Sequence, residues 1–207
     1  MNQPRQRRYD WLDVEVRPLT DQGLEDFEQL QCSQPQSAGC WCMWFVRRVV
    51  DYHEGGSAGN RAALVEMMPS AATPVGFLAY DGEGAIGWCS AGPRARYTRA
   101  LKTPTLRGRD ASEDDDVWLV PCFLVDPDRR GQGVASTLLD HVVEAAAAAG
   151  AVAVEGFPLS GSRRRSSSAD FMTGTETLFA SRGFVDVRRP SDNRVIMRRS
   201  LRGRFGE

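Results

Sequence analysis

Residues 127–136 read PDRRGQGVAS: two arginines, Arg129 and Arg130, run into Gly131 and Gly133, and a helix-like sequence begins. The first-turn N–H groups of such a helix have no carbonyl one turn earlier to bond. They sit at the positive end of the helix dipole and suit a phosphate oxygen. Gly131 and Gly133 tolerate unusual φ angles and, lacking Cβ, let a ligand approach the backbone. Arg130 can add charge or brace the loop, and Ser136 can add a hydroxyl. A phosphate-binding P-loop is excluded, because it needs a lysine and a Ser/Thr after its glycines and this stretch has no lysine. A dinucleotide fingerprint is a poor match: Gly131-Gln132-Gly133 is followed by Ser136, late in the chain, with no acidic ribose-binding strand after it.

Other residues could move protons or hold a substrate. Glu155 lies in the apolar run AVAVEGF, where a carboxylate is costly unless used or paired. It is a candidate general base or amine anchor, against a salt bridge or a solvent-facing residue. Cys122 reads as a small core thiol before a nucleophile. Cys40-Trp41-Cys42-Met43-Trp44-Phe45 suggests three readings. Zinc held by Cys32, Cys40, Cys42 and His53 matches the usual ligand spacing poorly, so no metal is expected. Aromatic core and the lining of a substrate cleft are compatible with one another, and Trp41 and Trp44 are the candidate contacts. His53 reads as a surface histidine, and Tyr97 as an aromatic lining residue before a proton donor. Arg163-Arg164-Arg165 reads as a solvated loop before an anion site.

The elements that must position these residues follow from hydrophobic period and turn chemistry. Residues 12–19 alternate as a strand, and Thr20 or Asp21 caps a helix to about Leu30. Residues 31–60 are expected to be irregular, with Asn60 capping a short helix over 61–68. Two strands flank Asp81-Gly82-Glu83-Gly84 as a hairpin. Residues 93–116 are charged and Pro/Gly-punctuated, as in a surface excursion. The apolar run 117–125 is a central strand, and Pro121 inside it predicts a bulge or splay. Val134, Leu138, Val142 and Ala146 share one helix face, and Gly150 ends that helix. A strand over 151–159, a short helix closing at Gly183 and a strand pair around Ser191-Asp192-Asn193 complete an α+β order.

The 207 residues, 42% hydrophobic, suit one well-cored domain over 1–207, with 1–10 as a flexible tail. The net charge of −1 gives no sign of a nucleic-acid or anionic membrane partner. No apolar run approaches the ~20 residues that span a bilayer, and the first residues lack a signal-peptide core. Five cysteines without framework spacing fit reduced thiols, so a cytoplasmic location is expected.

Arg130, Gly133 and Ala135 after the strand ending Val125-Asp126-Pro127 match [Arg/Gln]-x-x-Gly-x-[Gly/Ala]. The stretch VWLVPCFLVDPDRRGQGVASTLLDHVV resembles a GNAT-type N-acetyltransferase, and TLFASRGF resembles that family's L-Y-x-x-x-G-F. The resemblance runs from the first strand near Leu12 to the last near Leu201. The Cys/Trp-rich segment followed by Gly59-Asn60-Arg61 resembles a bacterial subgroup of it. It implies a mixed sheet of six to seven strands flanked by helices and splayed between the fourth and fifth strands. It implies acetyl-CoA or another acyl-CoA as cofactor, with the pyrophosphate on the backbone of Arg130, Gly131, Gln132, Gly133, Val134 and Ala135, helped by Ser136. The pantetheine arm would run beside Leu124 and Val125. An N–H near Phe123 or Leu124 would polarise the thioester carbonyl. Phe179 stands where the family often has a tyrosine acid. The implied reaction is acyl transfer to a small-molecule amine by direct attack in a ternary complex, with Glu155, Cys122, Trp41 and Trp44 toward the acceptor. A catalytically silent acyl-CoA sensor and a protein-lysine acetyltransferase are the rival readings, and a homodimer is compatible with all three.

Overall fold

The computed structural model describes residues 14–82, 84–160 and 172–201. The expected tail over 1–10 and the Arg163–Ser168 loop lie outside them. The chain runs β1 (Glu15–Pro18), α1 (Leu24–Cys32), α2 (Val49–Ser70), β2 (Gly76–Tyr80), β3 (Ala85–Pro93), β4 (Val117–Val125), α3 (Val134–Ala148), β5 (Ala153–Gly156), α4 (Glu176–Ser181), β6 (Val185–Ser191) and β7 (Arg194–Ser200). One seven-stranded mixed sheet has the order β1-β2-β3-β4-β5-β7-β6, antiparallel except for the β4–β5 pair.

The splay is present and has a local cause. Leu119 pairs with Gly92 and Cys122 with Ser90, so three steps along β4 oppose two along β3. The extra residue makes a bulge, and a bulge moves every later side chain to the other face. Trp118 and Val120 lie in the core under α3, whereas Cys122 and Leu124 lie in the core under α1, with Phe123 now facing α3. Pro121, which has no N–H to donate, sits in this bulge. Parallel pairing with β5 stops at Val120 and Gly156, the residues just before it. Beyond that point β4 keeps only β3 as a partner, and a gap opens beside it.

α3 covers one face with Val134, Leu138, Leu139, Val142, Val143 and Ala146. α1 covers the other with Leu24, Phe27 and Leu30, joined by Trp41, Met43 and Leu64.

Two expectations are corrected here. Residues 49–70 are helical on both sides of a break at Gly56 (φ 53°, ψ −157°), so the later part of the stretch expected to be irregular is a kinked helix. Asn60 is buried within that helix, accepting from Arg47 (2.8 Å) and donating to the Gly39 carbonyl (3.1 Å). It brackets the preceding segment and is not a cap. Residues 93–116 run partly over the surface but are anchored in the interior. Arg94, Tyr97, Ala100 and Leu106 are each 1% exposed, and the last three form a third core with Leu119, Phe157 and Ile196.

Candidate active site

The gap beside β4 opens into a cleft of about 1020 Å³ between β4, α3 and α4. Phe123, Leu124, Val125, Arg130, Gly131, Gln132, Gly133, Val134, Ala135 and Ser136 all line it. Met172, Gly174, Thr175, Thr177 and Leu178 face them from the α4 side. Gly131 (φ 73°) and Gly133 (φ 87°) take the left-handed conformation that glycine adopts at least cost. A Cβ built on either meets no atom within 4 Å, so the loop leaves room over its backbone.

The arginines of the opening motif are spent on bracing. Arg129 pairs with Asp81 of the β2–β3 turn at 2.7 Å. Arg130 donates to the Val125 carbonyl (3.3 Å) and to the Gln34 side-chain oxygen. Gln34 in turn donates to Val125 O at 3.1 Å. Gln132 donates to Asp128 O (2.9 Å), and the Asp126 carboxylate accepts from Asp128 N (2.8 Å). An anion here would meet main-chain amides at the start of α3, presented by a loop whose side chains tie it to the sheet. Gln34, only 3% exposed, was invisible in the sequence, because nothing in CSQPQS signals a partner 96 residues away.

Several expected contacts are placed elsewhere. Glu155 is 5% exposed and outside the cleft lining. Its register partner is Leu119, on the closed side of the splay. Its two oxygens accept from Arg94 (2.7 Å) and Arg198 (2.9 Å), so the carboxylate is paired on both sides and holds the 93–116 segment to β5 and β7. Trp41 is 1% exposed, edge-on to Phe27 at 5.6 Å, with its backbone N–H on Gln31. It packs the core. Cys122 is sealed in the same core beside Cys42. Contact with Cys122, and then burial, push the Cys42 thiol well above its ordinary range. Trp44 is the exception at 37% exposure, with the Arg99 guanidinium 3.4 Å over its ring and Tyr52 and His53 edge-on to it. It lies outside the cleft lining as well. Tyr97 is buried against the Ser90 hydroxyl (3.2 Å), and burial raises its phenol. Among the described residues no group of His, Cys, Asp or Glu converges on a metal position, and no helix is long and apolar enough to cross a membrane.

Phe179 is fully buried, against Phe184 (5.0 Å) and Phe123 (6.0 Å). Its ring fills the wedge of the splay. A Cβ on Gly156 would come within 2.4 Å of it, so Gly156 must lack one.

Comparison with known proteins agrees with this geometry. The acetyltransferase (GNAT) family profile matches residues 48–158, more than half of the chain. No curated protein sequence matches it. Among solved structures the chain is similar to an N-acetyltransferase from Staphylococcus aureus Mu50 (14% identity, 92% of this chain and 99% of that one, TM-score 0.56). It is similar to yncA of Salmonella typhimurium, solved with its cofactor acetyl-CoA (15%, 93% and 96%, TM-score 0.55). It is also similar to an acetyltransferase from Thermus thermophilus (14%, 91% and 97%, TM-score 0.54). At these identities the likeness is one of fold. With the profile match and the splayed sheet, it establishes that the chain belongs to the GNAT acetyltransferase family.

Proposed function

We propose that the protein takes an acetyl or other acyl group from its CoA thioester and transfers it to a primary amine of a small molecule, by direct attack in a ternary complex. The observation that carries this is the cleft at the splay: a glycine loop with open space over its backbone, continuous with an unpaired strand edge. The first-turn amides of α3, with Gly131 and Gly133, suit the pyrophosphate. The edge of β4 at Leu124 and Val125, past the end of β5 pairing and with only Val125 O taken by Gln34 and Arg130, suits the pantetheine arm as an added strand. When bound, the thioester supplies the activated acyl carbon. A backbone N–H at Phe123 or Leu124 suits the carbonyl oxygen, where charge develops as nitrogen adds.

Glu155 has no part in this reading, because both its oxygens are already held by arginines. Among the described residues the cleft lining contains one carboxylate, Asp140, and that one pairs with Arg182 at 3.0 Å, beyond the first turn of α3. In this reading the amine arrives neutral or loses its proton to water, and the rate should follow the amine's own ionisation.

A second reading, an acyl-CoA-binding regulator without turnover, draws on the same observation and on Phe179, which carries no hydroxyl. Incubation with acetyl-CoA and a broad panel of small amines, following free thiol, separates the two. Thiol release that depends on one amine class supports the transferase. Tight acetyl-CoA binding with no release on any amine supports the regulator. No binding at all removes both.

A further inference from the structure

Departure of a thiolate leaves negative charge on sulfur, and a hydrogen-bond donor facing that sulfur stabilises it. Among the described residues the cleft lining offers five side-chain hydroxyls, and their positions differ. Ser136 and Thr137 stand on the first turn of α3, at the glycine-loop end. The Thr137 hydroxyl turns back to Gly133 O (3.4 Å), and the Ser181 hydroxyl donates to Leu178 O (2.8 Å). Thr177 lies within α4, a step farther along. Thr175 is different. Its oxygen accepts from the Leu178 N–H (3.2 Å), and its proton has no acceptor among the described residues. It is exposed in the cleft.

Its placement is fixed by backbone. The chain leaving β5 runs beside it: Leu159 bridges Thr175, Leu159 N–H donates to Gly174 O (3.3 Å), and Glu176 N–H donates to Leu159 O (3.2 Å). A Cβ on neighbouring Gly174 would lie 3.3 Å from the Phe123 ring. Thr175 therefore lines the same cleft as Phe123 and Leu124, one residue after the Gly174 that sits beside the Phe123 ring. Phe179, one turn on, is sealed into the core and has no polar atom to offer.

We propose that Thr175 is a catalytic residue whose hydroxyl donates a hydrogen bond to the departing sulfur. It rests on the acyl-CoA reading above. As the amine nitrogen bonds to the acyl carbon, the carbon–sulfur bond breaks and its electron pair goes to sulfur, held by the Thr175 O–H. The proton shed by nitrogen reaches that sulfur through water, giving the amide and the free thiol. Threonine keeps its own proton throughout.

The test needs no acceptor, because CoA itself carries the thiol. Titration of protein-bound CoA, followed by thiolate ultraviolet absorbance, gives the acidity of the bound thiol, and calorimetry gives CoA affinity. In the wild type and in Thr175→Ser the bound thiol should ionise about one pH unit below its value in Thr175→Gly, roughly a tenfold difference in thiolate fraction. Glycine is chosen because it starts a helix nearly as well as threonine, so a role confined to the fold would leave the titration unmoved. Below the titration midpoint, CoA affinity should stay within a few-fold in all three. An identical midpoint in Thr175→Gly with CoA bound overturns the role of Thr175 and leaves the acyl-CoA reading standing. Failure of the wild type to bind CoA overturns both.

Discussion

A tyrosine hydroxyl at position 179 would sit on Cζ, the atom that already lies 2.4 Å from where a Gly156 Cβ would be. Phe179→Tyr should therefore push a polar atom into the wedge of the splay and not into the cleft. Overpacking of this kind costs about 1–3 kcal/mol. A lowered thermal midpoint with no gain in acyl transfer is the expected result. A faster enzyme of unchanged stability would mean that the ring can turn toward the cleft. The glycine loop makes the complementary case. Gly133→Asp places a side chain and a negative charge in the open space over the loop, at a φ of 87°. Calorimetry should show acetyl-CoA affinity down by about tenfold or more, with about 1 kcal/mol of stability lost to the backbone conformation. Undiminished affinity would put the anion elsewhere.

At the scale of elements, Gln34 of the α1–α2 connection grips the base of the glycine loop, through Arg130 and Val125 O. Gln34→Ala removes the side-chain oxygen that Arg130 donates to and one of the two donors to Val125 O, leaving only the 3.3 Å bond from Arg130 there. Acetyl-CoA should bind about tenfold more weakly, one lost hydrogen bond to a charged group being of that order. The effect should fall on the acyl-CoA Kd and not on the KM for an amine, and the reverse pattern would make Gln34 an acceptor contact. What sequence reading could see divides along the same line. The strand 117–125, the glycine loop and the α3 face were legible because each rests on neighbours within one turn or one strand. Pro121 announced its bulge for the same local reason. Glu155, Gln34, Asn60 and Arg94 were misread or missed because their partners are 13 to 96 residues away. A buried carboxylate in an apolar strand looks the same in sequence whether a substrate or an arginine pairs it. The irregular stretch expected over 31–60 failed differently: residues 49–60 are helical, with a local break at Gly56 after which the helix resumes.

The molecule as a whole is tied across the closed side of its sheet by a chain of charges. Arg94, 1% exposed, bonds Glu155 and Asp114 at 2.7 Å each. Asp114 also meets Arg109 (2.7 Å), and Arg198 joins Glu155 to Glu113 (2.7 Å). These pairs fasten the 93–116 segment to β5 and β7 while the other side of the sheet stays open for the cleft. The Arg109 guanidinium, and then Arg94, hold the Asp114 carboxyl below its ordinary value of 3.8, and Arg198 holds Glu113 below 4.5. A carboxyl whose pKa is depressed by folding contributes stability that is present above the unfolded value. That stability is lost as pH falls through the folded one. The contribution of this network should therefore be whole at neutral pH and decay below about pH 4. Removing one partner of a buried pair costs about 3–5 kcal/mol, and the partly exposed Asp114 should sit at or below the lower end of that range. Urea unfolding of wild type and Asp114→Asn at pH 7 and at pH 3 should show a gap that narrows in acid, as the wild-type carboxylate takes up its proton. A gap of the same size at both pH values would mean that Asp114 titrates alike in the folded and unfolded chains, and that packing around Tyr97 and Leu106, not charge, fastens this segment to the sheet.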